Sequence, residues 1–388
     1  MRLRDELRRV EAPQDAQERA WDVVRGAFAE REPVPRQRHY VRPAVALGIA
    51  AAIVAGAVSS PGRAVLGDLR DEVVGQRNAA PALFSLPAPG RLIVYSTAGP
   101  WIVQRDGSKR LLDRYDEVSW SPHGKYVAAT RRHELFALEP DGDVQWSLAR
   151  TGRISVPQWG GTAQDTRIAY LAAGPNLRVV GGDGKGDRVL ARRVARAAPA
   201  WLPHSDRHLL AFADRRGGIH LVDVERPAPL RPAPPGEVPL ELTWVADGSY
   251  LLALGERSLR ILRPDRRLVR TIRLPQGPHA LAVSPTSHSF ALTRRFGPDR
   301  SELLVFDAAR PHRAPRRLFA ATGQFTGLEW SPDGRWLLLA WPTADQWLFI
   351  RPSGPPKTQA VARVAEQFAS GDGAPVFPAL GGWCCARP

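Results

Sequence analysis

The stretch Leu328–Trp341, LEWSPDGRWLLLAW, decides how the rest of the chain is read. An apolar segment ends in Trp330, enters a Ser-Pro-Asp-Gly turn and leaves through a leucine-rich run. Each turn residue has a reason to be there. Pro332 presets its φ, Asp333 can bond to amides two residues on, and Gly334 tolerates a positive φ. One such copy makes a β-hairpin and nothing more.

The copies make the case. VSWSPHGKYVAAT (118–130), PQWGGTAQDTRIAYL (157–171), PAWLPHSDRHLLAFA (199–213), LTWVADGSYLLALG (242–255) and LAVSPTSHSFALT (281–293) follow the same plan. Their anchors, Trp120, Trp159, Trp201, Trp244, Val283 and Trp330, are spaced 39 to 47 residues apart. That period suits one four-stranded propeller blade. A second signal follows each anchor: two further strands joined by a turn rich in Asp, Gly and Pro, as in HELFALEPDGDVQWSL (133–148). One unit therefore reads as four strands.

The two ends complete the count. GRLIVYSTAGPWIVQRDGSKRLL (90–112) holds three strands and lacks the Trp-ended one, whereas VFPALGGWCCARP (376–388) supplies a Trp-ended strand through Trp383. Together they make one more blade, and a ring needs such a clasp because open sheet edges are a liability. The expected fold class is all-β, a β-propeller of seven blades (six being the alternative), four strands to each blade, with N- and C-terminal strands closing one blade. Trp120, Trp159, Trp201, Trp244, Trp330 and Trp383 are expected to act as structural anchors, each wedged between neighbouring blades and burying roughly 150–250 Å².

These units resemble the repeats of TolB and the related WD-repeat-like propellers, in which Trp-Ser-Pro-Asp-Gly is followed by a basic residue and an apolar strand. The likeness is strongest at Trp330 to Arg335 and Trp120 to Lys125, weakens at Trp159 and Val283, and covers residues 90 to 388. Gly-His dipeptides are absent, and the single Trp-Asp is Trp21-Asp22, so true WD repeats fit less well. The resemblance implies a fold; propellers host many unrelated functions.

Upstream of the ring the texture differs. Residues 1–42 are polar and charged, and Trp21, Val24 and Phe28 fall on one stripe of a helix that Asp15 and Glu18 would cap. This α-helical tail is a candidate partner-binding element. AVALGIAAAIVAGAV (44–58) carries no charge, and residues 43–60 are expected to form one transmembrane helix. Arg36, Arg38 and Arg42 precede it, while Arg63 and Arg70 follow beside Asp68, Asp71 and Glu72, which by the positive-inside rule sets the tail in the cytoplasm and the propeller outside it. Residues 61–89 are a connector and 90–388 the propeller domain.

Composition narrows the chemistry. The chain of 388 residues has a formal charge of +15, yet four of its 54 basic residues are lysines and the arginines are spread evenly. With 34 Gly and 36 Pro this reads as coding bias, so nucleic acid is not an expected partner, and lipid headgroups or an anionic envelope polymer remain open. Cys384 and Cys385 are adjacent, a spacing that suits neither zinc nor a disulfide framework; they read as strand-packing residues or as a labile redox pair. GGDGKGD (181–187) lacks the Lys-Ser/Thr and helix of a phosphate loop, no Gly-x-Ser-x-Gly elbow occurs, and Asp141, Asp247 and Asp333 read as turn braces. No catalytic residue, metal ligand or cofactor is assigned.

The functional expectation is a single-pass cell-membrane protein that is not an enzyme, its propeller acting as a protein-interaction scaffold or sensor and its tail signalling inside. That layout resembles membrane-bound anti-sigma regulators, although residues 1–42 lack the zinc-binding Cys of many of them. Non-repeating Trp101 and Trp347 are candidate partner-binding residues on the ring. Two other classes stay open: a carbohydrate- or envelope-polymer-binding module, and a propeller enzyme of lyase or quinone-dependent dehydrogenase type.

Overall fold

A computed structural model describes residues 79–80, 85–161, 165–205, 207–227, 230, 233–369 and 374–385. The chain divides into two units, 1–64 and 65–388, and every described residue belongs to the second. The expected tail helix with Trp21, Val24 and Phe28, and the expected span over 43–60, lie outside the described residues. No described helix is long and apolar enough to cross a membrane.

The second unit is a seven-bladed β-propeller. Blade 1 joins the chain ends in the order Ala379–Cys384, Arg91–Ser96, Gly99–Val103, Lys109–Leu111. Arg91 pairs with Cys384 and Leu92 with Trp383, antiparallel, so the closure expected from the two incomplete pieces is what shuts the ring. Blade 2 runs Glu117–Trp120, Val127–Arg131, Glu134–Leu138, Val144–Ala149, and blade 3 runs Ser155–Gly161, Thr166–Ala172, Asn176–Gly181, Arg188–Ala191. Blades 5, 6 and 7 begin at Glu241–Trp244, Leu281–Val283 and Gly327–Trp330 and have the same meander. Ala79–Ala80 adds a parallel strand to the outer edge of blade 7, beside Ala360 and Val361.

Blade 4 departs from the plan. Among the described residues it has three strands, Ala200–Trp201, Leu209–Ala213 and Ile219–Asp223. The sequence that follows, ERPAPLRPAPPGEVP (225–239), is where a fourth strand would lie. Proline has no N–H to give a ladder, so a stretch this rich in proline is a poor strand former.

The leucine run of the opening motif now has a physical cause. Leu337 and Leu339 face blade 6, among Ala291, Leu303 and Phe325, while Leu338 and Ala340 face blade 1, among Leu92, Val94 and Trp383. A blade is covered on both sides, so apolar residues need not alternate with polar ones. The buried side chains fall into seven clusters, one at each blade-to-blade interface, and these clusters are the core.

Polar ties supplement them. Between blades 2 and 3 the Asp187 carboxylate accepts bonds from Tyr170 Oη at 2.6 Å, from Arg178 and from Arg150, which follows the last strand of blade 2. The donors hold the Asp187 carboxyl below the usual range against the opposing effect of burial.

The first turn of a blade is built as its residues require. In blade 7 Ser331 N–H donates to the Trp336 carbonyl, Gly334 N–H to the Ser331 carbonyl, and Gly334 sits at φ 70°. Asp333 Oδ1 accepts from Arg335 N–H at 3.1 Å and from Ser331 Oγ at 2.6 Å. Asp247 braces the blade 5 turn in the same way through Ser249 N–H, and Asp141 braces a later turn through Asp143 N–H.

Candidate functional site

In six of the seven blades the Trp-ended strand brings a tryptophan to one face of the ring, the face that carries the turns just described. The tryptophans occupy interfaces, and three of the six are tied to the preceding blade. Trp120 Nε1 donates to the Gly382 carbonyl at 3.1 Å, Trp201 Nε1 to Gln158 at 2.9 Å, and Trp244 Nε1 to Ala200 at 3.2 Å. In each case the acceptor is the residue just before the tryptophan of the preceding blade. Trp383 donates to Pro89 instead. Blade 6 has Val283 at its anchor position, and Trp330, next to it, turns back to the Gly334 carbonyl of its own turn at 2.9 Å. Trp159 alone of the six has a buried Nε1 with no partner, and Ser119 Oγ, in the preceding blade, is likewise buried and unpartnered.

The same turn face carries three cavities that share lining residues. The first, of 430 Å³, is the channel mouth, where Glu241, Thr243, Ser284 and Glu329 meet the tryptophans 244, 330 and 383. The second, of 540 Å³, lies between blades 3 and 4 and shares Pro203 and His204 with the first. The third, of 460 Å³, lies between blades 2 and 3 and shares His123 and Trp159 with the second. Such convergence of concave surface, aromatic walls and a few polar groups is how binding sites are built. The opposite face has a separate 510 Å³ cavity bordered by Glu117, Arg153 and Arg196.

The channel carboxyls are electrostatically unusual. Both project from innermost strands into a mouth that water reaches, yet protein surrounds them. Burial pushes Glu241 up to about 7. Glu329 is pushed up to about 8, first by burial and then by the charge of Glu241, with the Trp383 backbone amide opposing. No lysine or arginine is in the lining of this mouth. Neither the spacing of these two residues nor their type marked them out in the sequence, because Glu241 lies three positions before its tryptophan and Glu329 one before.

The other expected site residues are placed as follows. Trp347 is 0% exposed, packed against Phe368 at 5.4 Å within the blade 7–blade 1 core. The expectation that it belongs to a binding face is therefore corrected: its strand, Gln346–Ile350, is covered on both sides. Trp101 is half-buried, with Nε1 donating to Ser96 Oγ at 2.9 Å and its ring meeting Phe368 edge-on. It lines none of the three cavities. Cys384 and Cys385 close blade 1 against Ser121 and Pro122 of blade 2. No group of three or more His, Cys, Asp or Glu among the described residues is arranged to hold a metal ion.

No protein-family model matches the chain, and no curated protein sequence does. Solved structures do match. A chain in the crystal structure of the mitotic checkpoint complex aligns with a TM-score of 0.51 at 19% identity, covering 64% of this chain and 77% of that one. A functionally unknown protein from Desulfotomaculum acetoxidans DSM 771 aligns with a TM-score of 0.52 at 11% identity, covering 69% and 94%. The Pan2 WD40 domain of Neurospora crassa gives 0.49 at 10% identity, covering 64% and 78%. At such identities the likeness is one of fold alone, and it carries no activity across.

Proposed function

We propose that this chain is a non-catalytic, membrane-anchored scaffold whose propeller binds a protein partner through its turn face. The observation that carries the reading is the run of three cavities along that face, walled by tryptophans from successive blades and sharing residues from one to the next. Seven blades locked by buried clusters and a terminal clasp make a rigid platform, and rigidity lowers the entropic cost of binding. The uncharged run at 44–58, with three arginines close before it and two arginines offset by three carboxylates after it, supports an anchor with the N-terminus in the cytoplasm and the ring outside.

Two experiments test this. A photo-crosslinking amino acid at His204, on the turn face, should yield a discrete protein adduct in cells, and one at Arg153, on the opposite face, should not. Adducts from Arg153 alone would overturn the assignment of the face. Protease added to intact cells should digest residues 90–388 without prior lysis; digestion only after lysis would place the ring on the cytoplasmic side and remove the anchor topology.

A further inference from the structure

We propose that the groove between blades 2 and 3 binds an extended acidic peptide segment of a partner protein, a reading that rests on the scaffold function above and names the chemistry of its partner. The groove is the 460 Å³ cavity of the turn face. Its walls are Tyr126, Trp146 and Trp159, and its rim carries His123 and Lys125, with His204 close by in the adjoining cavity.

Three observations point to the ligand. The first is the surplus of donors. Trp159 is 8% exposed, and its Nε1 lacks the acceptor that its counterparts in blades 1, 2, 4, 5 and 7 possess. A buried donor left unmade costs about 1–3 kcal/mol, and a small turn of the Trp159 ring toward the groove would let an incoming carbonyl oxygen recover it. Extended backbone offers such a carbonyl at every residue.

The second is charge. Lys125 is exposed, with Nζ over the Tyr126 ring at 5.1 Å; His123 of the same lining is exposed, as is His204 in the adjoining cavity. The single carboxylate of the lining, Asp183, is engaged within its own turn by the Lys185 backbone amide at 3.0 Å, and the Lys185 ammonium stands 3.8 Å from it. The rim therefore complements negative charge, on a protein whose formal balance is +15.

The third separates a peptide from a sugar. A pyranose ring stacks on an open aromatic face, and these rings already have neighbours. Tyr126 and Trp159 stack on each other, at 6.0 Å and 13°, and Lys125 stands over Tyr126. Gly184 lies so close over Trp146 that an added Cβ would sit 3.0 Å from its ring. What the groove leaves available is donors and ring edges, which suits a carbonyl-rich chain with carboxylate side chains.

The test is selection of a random short-peptide library against the full-length protein, followed by fluorescence titration of the recovered peptides. The expected result is enrichment of Asp/Glu-rich sequences that bind about tenfold more weakly to Trp159→Phe and to Lys125→Glu. Lys125 is exposed, so that second variant keeps the test valid if Trp159→Phe misfolds. No enrichment, neutral or basic winners, or affinities that neither variant changes would each overturn the proposal. So would tighter binding of a galacturonate oligosaccharide than of any recovered peptide, which would assign the groove to a glycan. If the His204 crosslink still captures its protein while no acidic peptide is recovered, the scaffold reading stands and this one falls.

Discussion

Trp201 and Trp159 hold equivalent places in consecutive blades, and the fold treats them differently. Trp201 donates to Gln158 across the blade 3–4 interface, and its ring lies against Gly160, where an added Cβ would be 2.1 Å from it. Trp159 has the same residue type and the same strand position, yet its Nε1 has no partner and two cavities open beside it. One interface is closed by the repeat; the other is left incomplete by it. The contrast teaches that the conspicuous motif builds the ring, while an unpartnered donor and concave surface collect where a copy of the motif fails to finish its contacts.

That contrast can be broken in stages. The largest effect belongs to Trp201→Ala, which should cost about 3–5 kcal/mol in urea unfolding through lost burial and a cavity against Gly160. A loss near zero would mean that the tryptophan is no wedge. Next comes Asp187→Ala, which leaves Arg150, Arg178 and Tyr170 without their common acceptor. It should cost about 2–3 kcal/mol, as expected for charge-assisted bonds at a mostly buried carboxylate.

The channel makes the third comparison. Glu241 and Glu329 have raised pKa values in the folded chain, so between the ordinary carboxylate range and about 8 the native state binds more protons than the unfolded state. Stability should therefore fall as pH rises through that window, by up to about 2 kcal/mol, since channel water screens the charges. Thermal unfolding followed against pH would show it, and the slope should flatten in Glu241→Gln/Glu329→Gln. A rise of stability over the same window would refute the assignment.

The smallest effect is the sharpest. Trp201→Phe removes a made hydrogen bond and should cost about 1 kcal/mol more than Trp159→Phe, which removes a donor that has none. Equal losses in paired denaturation curves would show that Trp159 is satisfied after all.

Much of this architecture could be read along the chain because it is written in short-range terms. The Trp-turn-apolar unit needs only neighbours a few residues apart, and its recurrence at Trp120, Trp201, Trp244 and Trp330 announces blades before any contact is known. The clasp followed from counting strands at the two ends, and the pairing of Leu92 with Trp383 agrees with that count. The reading was weakest where a local pattern had two meanings. Trp347 breaks the repeat and so resembled a surface aromatic, but it lies in a strand covered on both sides. The strand after Ile219–Asp223 was expected from the blade plan; among the described residues blade 4 has three strands, and the sequence that follows is rich in proline, a poor ladder former.

Repeat length, strand order within a blade, turn chemistry and ring closure thus belong to the amino-acid sequence, since each depends on residues close together or on a simple count. The groove and the channel mouth do not. Lys125 and Trp159, or Glu241 and Glu329, come from different blades, and only the closed ring decides which donors find an acceptor and which carboxyls face one another. Binding chemistry here is a property of interfaces between units, and no single unit contains it.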